Sequence, residues 1–401
     1  MPWLQLLILS AAHMVTDFAQ GAIPILITNL KESLSLNYTQ ATAIFLASNI
    51  ASSFVQPVFG VISDRHKLFW LMPAGVALAM LGIALAGIIP NYYLVLTIIF
   101  ITGLGIAGFH PEASKATHFL SYGPKKATAM SIFSVGGNVG IGLGPLLAAG
   151  FIAVAGLKGT LFFLVPGIMM ILILKKILPQ VEKAMEAHQK SILEENQKNS
   201  SPKETIQVGA LVLLIIVVVV RSWIHAGLLN FIPLYFIDFL GESDFYGSLL
   251  LTVFLIAGAV GTLIGGPLAD YFGPKTMVCW SMILSLPLTY LIYNSEGIWT
   301  VIFTALDGAV LICTFGITVV FGQKLLPNKI GLASGLMLGF AIGTGGFGAT
   351  LLGYIADTWN IFYALKFMFA LPLLGSILAL FLPKVSGQRK TKMAVSKSSL
   401  S

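Results

Sequence analysis

Charge is scarce in this chain. Of 401 residues only 10% are charged, against about 25% in an ordinary soluble domain. A soluble globule must cover its surface with polar groups, and this sequence has too few to do so. With 57% hydrophobic residues and a mean hydropathy of +0.90, soluble, disordered and coiled-coil classes are excluded together. Cysteine is nearly absent too: the two present, Cys279 and Cys313, lie in apolar runs and read as packing residues rather than a disulfide. No Ser-His-Asp, metal-ligand or phosphate-loop pattern is found, which argues against an enzyme and leaves no call for a cofactor or metal. The N-terminus lacks the basic segment of a cleavable signal, and His13, Asp17 and Gln20 interrupt its first apolar run. That run reads as a retained span, and the chain as an integral membrane protein.

What the sequence does contain is long apolar segments. A membrane helix needs about 20 mostly apolar residues. Runs of that kind lie at roughly 4–28, 40–62, 68–89, 92–114, 127–150, 158–178, 206–236, 247–269, 275–294, 297–321, 330–356 and 360–382. Short connections make successive helices antiparallel neighbours. The expected architecture is all-α, with twelve transmembrane helices in two bundles of six. The bundles span 1–178 and 206–383, joined by a linker at 179–205 and followed by a basic tail at 384–401.

Lysine and arginine set the orientation, because they are retained on the cytoplasmic side. With the N-terminus inside, 19 of the 23 basic residues fall in inner loops, linker and tail; the outer loops hold only Lys31 and Lys158, while Arg221 and Lys366 lie within spans. Both termini are therefore expected to be cytoplasmic in a multi-pass protein of the cell membrane. The pI near 9.3 is an orientation signal and not a nucleic-acid footprint. In the linker, Val181, Met185, His188 and Ile192 recur at helical spacing before Ser200-Ser201-Pro202. That pattern predicts a short amphipathic helix followed by a break, with His188 solvated.

The halves repeat one another. Gly21-Ala22-Ile23-Pro24 echoes Asn230-Phe231-Ile232-Pro233, and Gly60 to Lys67, after the second span, echoes Gly266 to Lys275, after the eighth. Gly136, Gly140, Gly144 and Ala148 step by four in the fifth span, as do Gly331, Gly335, Gly339 and Gly343 in the eleventh. Small residues on one face let two membrane helices approach closely. Repeated ladders point to a pseudo-symmetric carrier whose halves rock around a midplane site.

On these residues the sequence resembles the major facilitator superfamily over essentially its whole length. Gly60 to Lys67, with Asp64 and Arg65, is similar to that superfamily's inner-loop signature, and Gly266 to Lys275, with Asp270, is closer still. Gly140-x-x-x-Gly144-Pro145 resembles the fifth-span motif of its proton-coupled exporters, although Ala148-Ala149 replace the final glycines. A helix N-terminus carries about half a positive charge and stabilises a nearby carboxylate. Asp64 is therefore expected at the start of the eleventh span near Lys329, and Asp270 at the start of the fifth near Lys126. Both would act as latches that favour the outward-facing state.

An ionisable side chain at the bilayer centre costs at least about 2.5–3.5 kcal/mol on insertion scales and so needs a reason. His13, Asp17, Gln20 and Pro24 share one helix stripe. A carboxylate so placed can bind and release a proton, with His13 as relay. In Gly108-Phe109-His110-Pro111-Glu112-Ala113-Ser114-Lys115, Pro111 predicts a kink. His110 and Glu112 point to different sides, so they do not make two ligands of one metal; Glu112 can pair with Lys115, while the kink suggests a gate or proton-access role. Arg221 and His225 share a face of the seventh span, with Trp223 and Asn230 on another. Asp17 is the expected partner of Arg221, with an anionic substrate as competitor. Asp307 is a second buried acid.

Within the superfamily the chain is similar to the fosmidomycin resistance protein group of drug exporters. The likeness rests on His13/Asp17 with Gly21-x-x-Pro24, on Gly108 to Ala113 and on Phe231-Ile232-Pro233-Leu234; Ile99 stands where typical drug exporters carry a span-four arginine. The resemblance implies a drug:proton antiporter of the efflux and antibiotic-resistance type, moving small drug-like or metabolite molecules by alternating access. Asp17, His13, Glu112, His110 and Asp307 would couple protons, and Arg221, His225, Gln20, Trp223 and Asn230 would bind substrate. Asp64, Arg65, Asp270, Lys275, Gly140, Gly144 and Pro145 would gate. A proton symporter importing an organic anion, or a lipid flippase, is the alternative. The expected partners are substrate, protons and the lipid bilayer, with the protein a monomer.

Overall fold

The computed structural model describes residues 2–121, 125–198 and 207–385. The expected break at Ser200-Ser201-Pro202 and the basic tail beyond 385 lie outside the described residues. In chain order the helices are α1 (Trp3–Ser33), α2 (Tyr38–Asn49), α3 (Gln56–Arg65), α4 (Leu71–Ala86), α5 (Tyr92–Leu120), α6 (Lys126–Ala155), α7 (Leu164–Lys198) and α8 (Val208–Pro233). They continue as α9 (Asp244–Phe272), α10 (Pro274–Ile292), α11 (Ile298–Ile312), α12 (Phe315–Leu325), α13 (Ile330–Ser334), α14 (Gly345–Thr358) and α15 (Ile361–Leu380). Among the described residues there is no β-strand.

Among the described residues ten helical stretches are long and apolar enough to cross a membrane, and α4 is a shorter apolar helix. Several crossings are composite. A π-helical turn at Ile50–Phe54 links α2 to α3, and another at Gly335–Ala341 follows α13. Helix α4 has 16 residues, so it rises about 24 Å, less than the roughly 30 Å hydrocarbon layer. The stretch Lys126–His188 has 63 residues. It would be about 95 Å long if straight, but a 3₁₀ segment at Gly156–Phe163 breaks it between α6 and α7.

The linker differs from expectation. Helix α7 runs through Pro179 to Lys198, so the amphipathic segment continues the preceding span and is not a separate helix. Val181 and Met185 stay buried along it, and their packing outweighs the one backbone hydrogen bond that proline removes. His188 is not simply solvated, because its ring lies 6.1 Å from that of Phe119.

The helices form two compact units. Unit 1 comprises Met1–Ser121, Ile132–Thr205 and Pro327–Phe340; unit 2 comprises Tyr122–Ser131, Ile206–Leu326 and Ala341–Ser401. In unit 1 the glycine ladder of α6 packs on α1. A methyl group added at Gly136 would stand 2.7 Å from Ser10 Oγ, at Gly140 2.9 Å from Asp17 Cβ, and at Gly144 2.7 Å from the Phe18 carbonyl oxygen. Steps of four on one helix thus meet steps of four on the other, and the backbones touch. Overpacking such a contact costs about 1–3 kcal/mol or more. Gly140→Leu is therefore expected to lower the unfolding temperature of the purified protein and the fraction inserted in membranes. Gly142→Leu, at a position open to added atoms, should leave both unchanged. In unit 2 the core gathers Ile224, Leu228 and Phe231 of α8 with Phe254, Met282, Leu311 and Met368.

Candidate functional site

Three ionisable side chains meet inside unit 1. His13 and Asp17 lie one turn apart on α1, and His110 on α5 joins them; they are 4%, 3% and 6% exposed. Asp17 Oδ2 is 3.2 Å from His13 Nε2, and Asp17 Oδ1 is 3.2 Å from His110 Nε2. The two Nε2 atoms are 2.9 Å apart. On the far side of each ring, His13 Nδ1 lies 2.8 Å from the Phe133 carbonyl oxygen and His110 Nδ1 2.9 Å from that of Ile106. The His13 ring stacks on Phe133 at 4.2 Å. Gly137 leaves the room: a methyl group there would stand 2.9 Å from Asp17 Oδ2 and against the His13 ring.

The three ligand-type atoms lie within 4.8 Å of one another, a spacing that a metal ion also uses. The closest pair is the two imidazole nitrogens. Two imidazole nitrogens about a tetrahedral zinc stand roughly 3.3 Å apart, given bonds near 2.0–2.1 Å. The observed 2.9 Å is instead the length of a hydrogen bond.

A second cluster lies one turn further along α5, which runs unbroken through Pro111. Glu112, fully buried, is 3.1 Å from Lys115 and accepts from the Ser63 hydroxyl. Lys115 Nζ donates to the Ser63 carbonyl and hydroxyl oxygens, at 2.6 Å each. His110 and Glu112 do face different sides, and Glu112 is held in an ion pair. Next to Ser63, Asp64 accepts from the backbone N–H groups of Gly331 (2.7 Å) and Leu332 (2.9 Å). Asp270 in unit 2 accepts from those of Ala127 and Thr128, both at 2.9 Å, and from the Thr128 hydroxyl at 2.5 Å. Each carboxylate spans two free N–H groups at a helix start. Gly273, at φ 88°, permits the turn into α10, whose Lys275 donates to the Leu380 carbonyl. Arg65 is exposed. Lys67 pairs with Glu186, but both are exposed and the pair contributes little.

Arg221 of α8 is 1% exposed. Its Nη1 donates to the Thr314 and Thr318 hydroxyls at 3.2 and 3.3 Å, and its guanidinium sits 4.2 Å above the Phe315 ring. Its Nε and Nη2 have no hydrogen-bond partner among the described residues. Within unit 1 Asp17 takes both histidines as partners, and within unit 2 Arg221 is solvated by threonine hydroxyls and an aromatic face rather than by a carboxylate. His225 packs between Phe254 and Phe315. Trp223 closes over Gly348, and its Nε1 has no hydrogen-bond partner among the described residues. Asn230 is exposed and turns back to the Ala226 carbonyl, and Gln20 is half-buried. Asp307 is fully buried and receives Ser285 and Thr289 hydroxyls at 2.7 and 2.8 Å. Those bonds are what a structural buried carboxyl needs.

Helical units with charged clusters buried in an apolar body are the anatomy of a solute carrier, and sequence and structure comparisons say which kind. The model of the Major Facilitator Superfamily matches residues 9–249 and 214–399. The chain belongs to this superfamily. It is 34% identical to the fosmidomycin resistance protein of Escherichia coli over 375 residues, which is 94% of this chain and 91% of that protein. It is also 34% identical to the MFS-type transporter YfnC of Bacillus subtilis over 379 residues, covering 94% and 92% of the two chains. The crystal structure of the MFS transporter FucP in the outward conformation shares the fold, with a TM-score of 0.74 at 15% identity, covering 95% of this chain and 99% of that one. The protein is thus a secondary-active, multi-pass membrane carrier and not an enzyme, related to fosmidomycin-resistance-like proteins.

Sequence reasoning did not single out Ser63, Gln56, Phe133 or Gly137. Ser63 lies beside Asp64, and Gln56 is a polar residue inside an apolar run, so both left a trace. Phe133 acts through its backbone carbonyl, which has no signature in the side-chain code.

Proposed function

We propose that this carrier is a proton-coupled exporter of small drug-like or metabolite molecules, working by alternating access as a drug:proton antiporter of the cell membrane. The buried His13/Asp17/His110 cluster carries the reading. Ionisable groups inside a membrane span are expensive and mark proton or substrate pathways, and these three meet one another as well as the backbone carbonyls that orient the rings. The name of the Escherichia coli relative supports efflux and makes fosmidomycin the first compound to assay. The arrangement proposed is twelve crossings in two six-helix bundles, 1–178 and 206–383, with a linker at 179–205. Both termini and the tail at 384–401 would be cytoplasmic, and the functional unit a monomer. Arg221 would receive an anionic group of the substrate, with His225, Trp223, Gln20 and Asn230 shaping its surroundings.

In this cycle a proton entering from outside loads the histidine cluster and favours substrate release. Release of the proton to the cytoplasm resets the carrier. The Glu112–Lys115–Ser63 cluster lies between the histidines and Asp64 in the chain's contact network, which supports a role in proton access. Asp64 and Asp270 would hold the inner ends shut, with Arg65, Lys275 and the Gly140-Gly144-Pro145 bend as parts of the gate. Asp307 would be a secondary titrating site.

The deciding experiment is counterflow and gradient-driven transport of fosmidomycin in proteoliposomes, beside drug susceptibility of a pump-deficient strain with and without a protonophore. Antiport predicts substrate accumulating on the acidic side, against the flow of protons. Accumulation on the side that the protons enter would overturn export in favour of proton symport of an organic anion, a reading that Arg221, without an acidic partner among the described residues, also suits. A further outcome is expected at the latches. A carboxylate at a helix N-terminus contributes about 0.3–1 kcal/mol, up to about 2 when partly buried. Asp64→Asn should therefore raise cytoplasmic labelling of an inner-cavity cysteine severalfold, and Asp64→Asn/Asp270→Asn more. Unchanged labelling would remove the latch role.

A further inference from the structure

We propose that the carried proton sits between two imidazoles, on the line from His13 Nε2 to His110 Nε2, with Asp17 as its fixed counter-charge rather than its carrier. The inference rests on the proton-coupled reading above and names the atoms that hold the proton. It follows from hydrogen-bond bookkeeping at the outer nitrogens. His13 Nδ1 faces the Phe133 carbonyl oxygen at 2.8 Å and His110 Nδ1 faces that of Ile106 at 2.9 Å. A carbonyl oxygen only accepts, so both Nδ1 atoms carry a hydrogen. Gln56, whose side-chain nitrogen is 3.4 Å from His110 Nδ1, is too far to compete. Both rings therefore turn their Nε2 lone pairs inward.

Those two lone pairs stand 2.9 Å apart. Bare, they repel; with one hydrogen between them, they form an N–H···N bond of ordinary length. Asp17 approaches the pair evenly, one oxygen 3.2 Å from each Nε2. A proton placed on Asp17 would serve one ring and leave the Nε2···Nε2 contact unbridged. The bridged form contains one positive and one negative charge and is neutral. Loss of the proton leaves a lone carboxylate and two lone pairs facing one another in a pocket nearly closed to solvent, a form that has to open or admit water. Proton release and conformational change are thereby linked.

Among the described residues, the charges of the surrounding elements are engaged elsewhere or exposed: Asp64 of α3 accepts from the Gly331 and Leu332 N–H groups, and Arg65 and Lys158 are exposed. Helix α4 has no titratable side chain, and Lys126 is the sole charged residue of α6; α2 contributes only Tyr38, and the charges of α7 begin at Lys175. On α5, Glu112 and Lys115 are engaged with each other and with Ser63. Gly137 of α6 keeps the pocket at its present size.

The test uses the full-length protein in lipid nanodiscs with ¹⁵N-labelled histidine and, separately, ¹³C-labelled aspartate. One strongly deshielded proton shared by two imidazole nitrogens is expected, and it should be lost in full in either His13→Gln or His110→Gln. No protonated-carboxyl infrared band should shift with the aspartate label and vanish in Asp17→Asn. The labelled wild-type protein needs no variant, so a misfolded mutant cannot obscure the answer. A protonated-carboxyl band from Asp17, or two histidines titrating independently, overturns the proposal even if antiport is proton-driven. Should the bridge be present while uphill transport ignores protons, the antiport reading fails and the bridge stands.

Discussion

Asp17→Asn is expected to abolish proton-driven accumulation while leaving substrate exchange intact. Among the described residues the carboxylate is the only negative group in contact with the two histidines, at 3.2 Å from each. Without it, a proton between the imidazoles would be an uncompensated cation in a site that is 3–6% exposed, and buried charges are tolerated only when paired. The variant therefore no longer takes up the proton, and coupling is lost. For one proton exchanged against a neutral substrate, 100 mV supplies about 2.3 kcal/mol, or roughly a fifty-fold gradient. In proteoliposomes that gradient should fall to unity, with counterflow retained at a comparable rate. His13→Gln and His110→Gln should behave alike, because each removes one end of the same bridge. Rising external acidity should accelerate efflux by the wild type and leave the three variants flat. Gradient-driven transport that survives all three substitutions would remove the cluster from the mechanism.

The second large effect is a trade between stability and binding at Arg221. Burying an ion costs several kcal/mol, and replacing buried charges by apolar residues of similar volume is often stabilising by about 1–4 kcal/mol. Arg221 has only two long bonds from Nη1, at 3.2 and 3.3 Å, and an aromatic face in return. The hydroxyl hydrogens of Thr314 and Thr318 are already given to the Leu311 and Phe315 carbonyls, so removing the guanidinium strands no donor. Arg221→Met is expected to raise the unfolding temperature of the purified carrier. If the free Nε and Nη2 receive an anionic group of the substrate, two charge-assisted bonds of about 1.5–3 kcal/mol each are lost. Affinity for anionic compounds should then fall at least a hundredfold, while neutral compounds bind as before. Paired measurements of thermal unfolding and ligand binding check both halves. A lower unfolding temperature would make Arg221 a structural residue.

Much of the membrane architecture can be read in the residue order, because the bilayer imposes a length and a polarity that no local propensity can override. The composite crossings were less legible. Hydropathy sees Ala43–Arg65 as one run, and nothing in it announces the π-helical turn at Ile50–Phe54, since one extra residue per turn leaves polarity unchanged. The glycine ladders announced close packing but not its partner. Only the fold puts Gly140 against α1 and sets Gly335 2.6 Å (as an added methyl) from the Gln56 carbonyl oxygen.

The amino-acid order alone determined that this protein lives in a bilayer and which residues must be buried at a cost; the resemblance of its loops to the superfamily's signature placed Asp64 and Asp270 at helix starts. The first two follow from transfer free energies. The tertiary structure alone decided who meets whom. It joined His110 to His13 and Asp17 across 97 residues of chain, and it left Arg221 among hydroxyls and an aromatic ring. Pairings of that kind depend on which faces of distant helices touch. A buried charge demands a partner, but the demand does not say which helix will supply it.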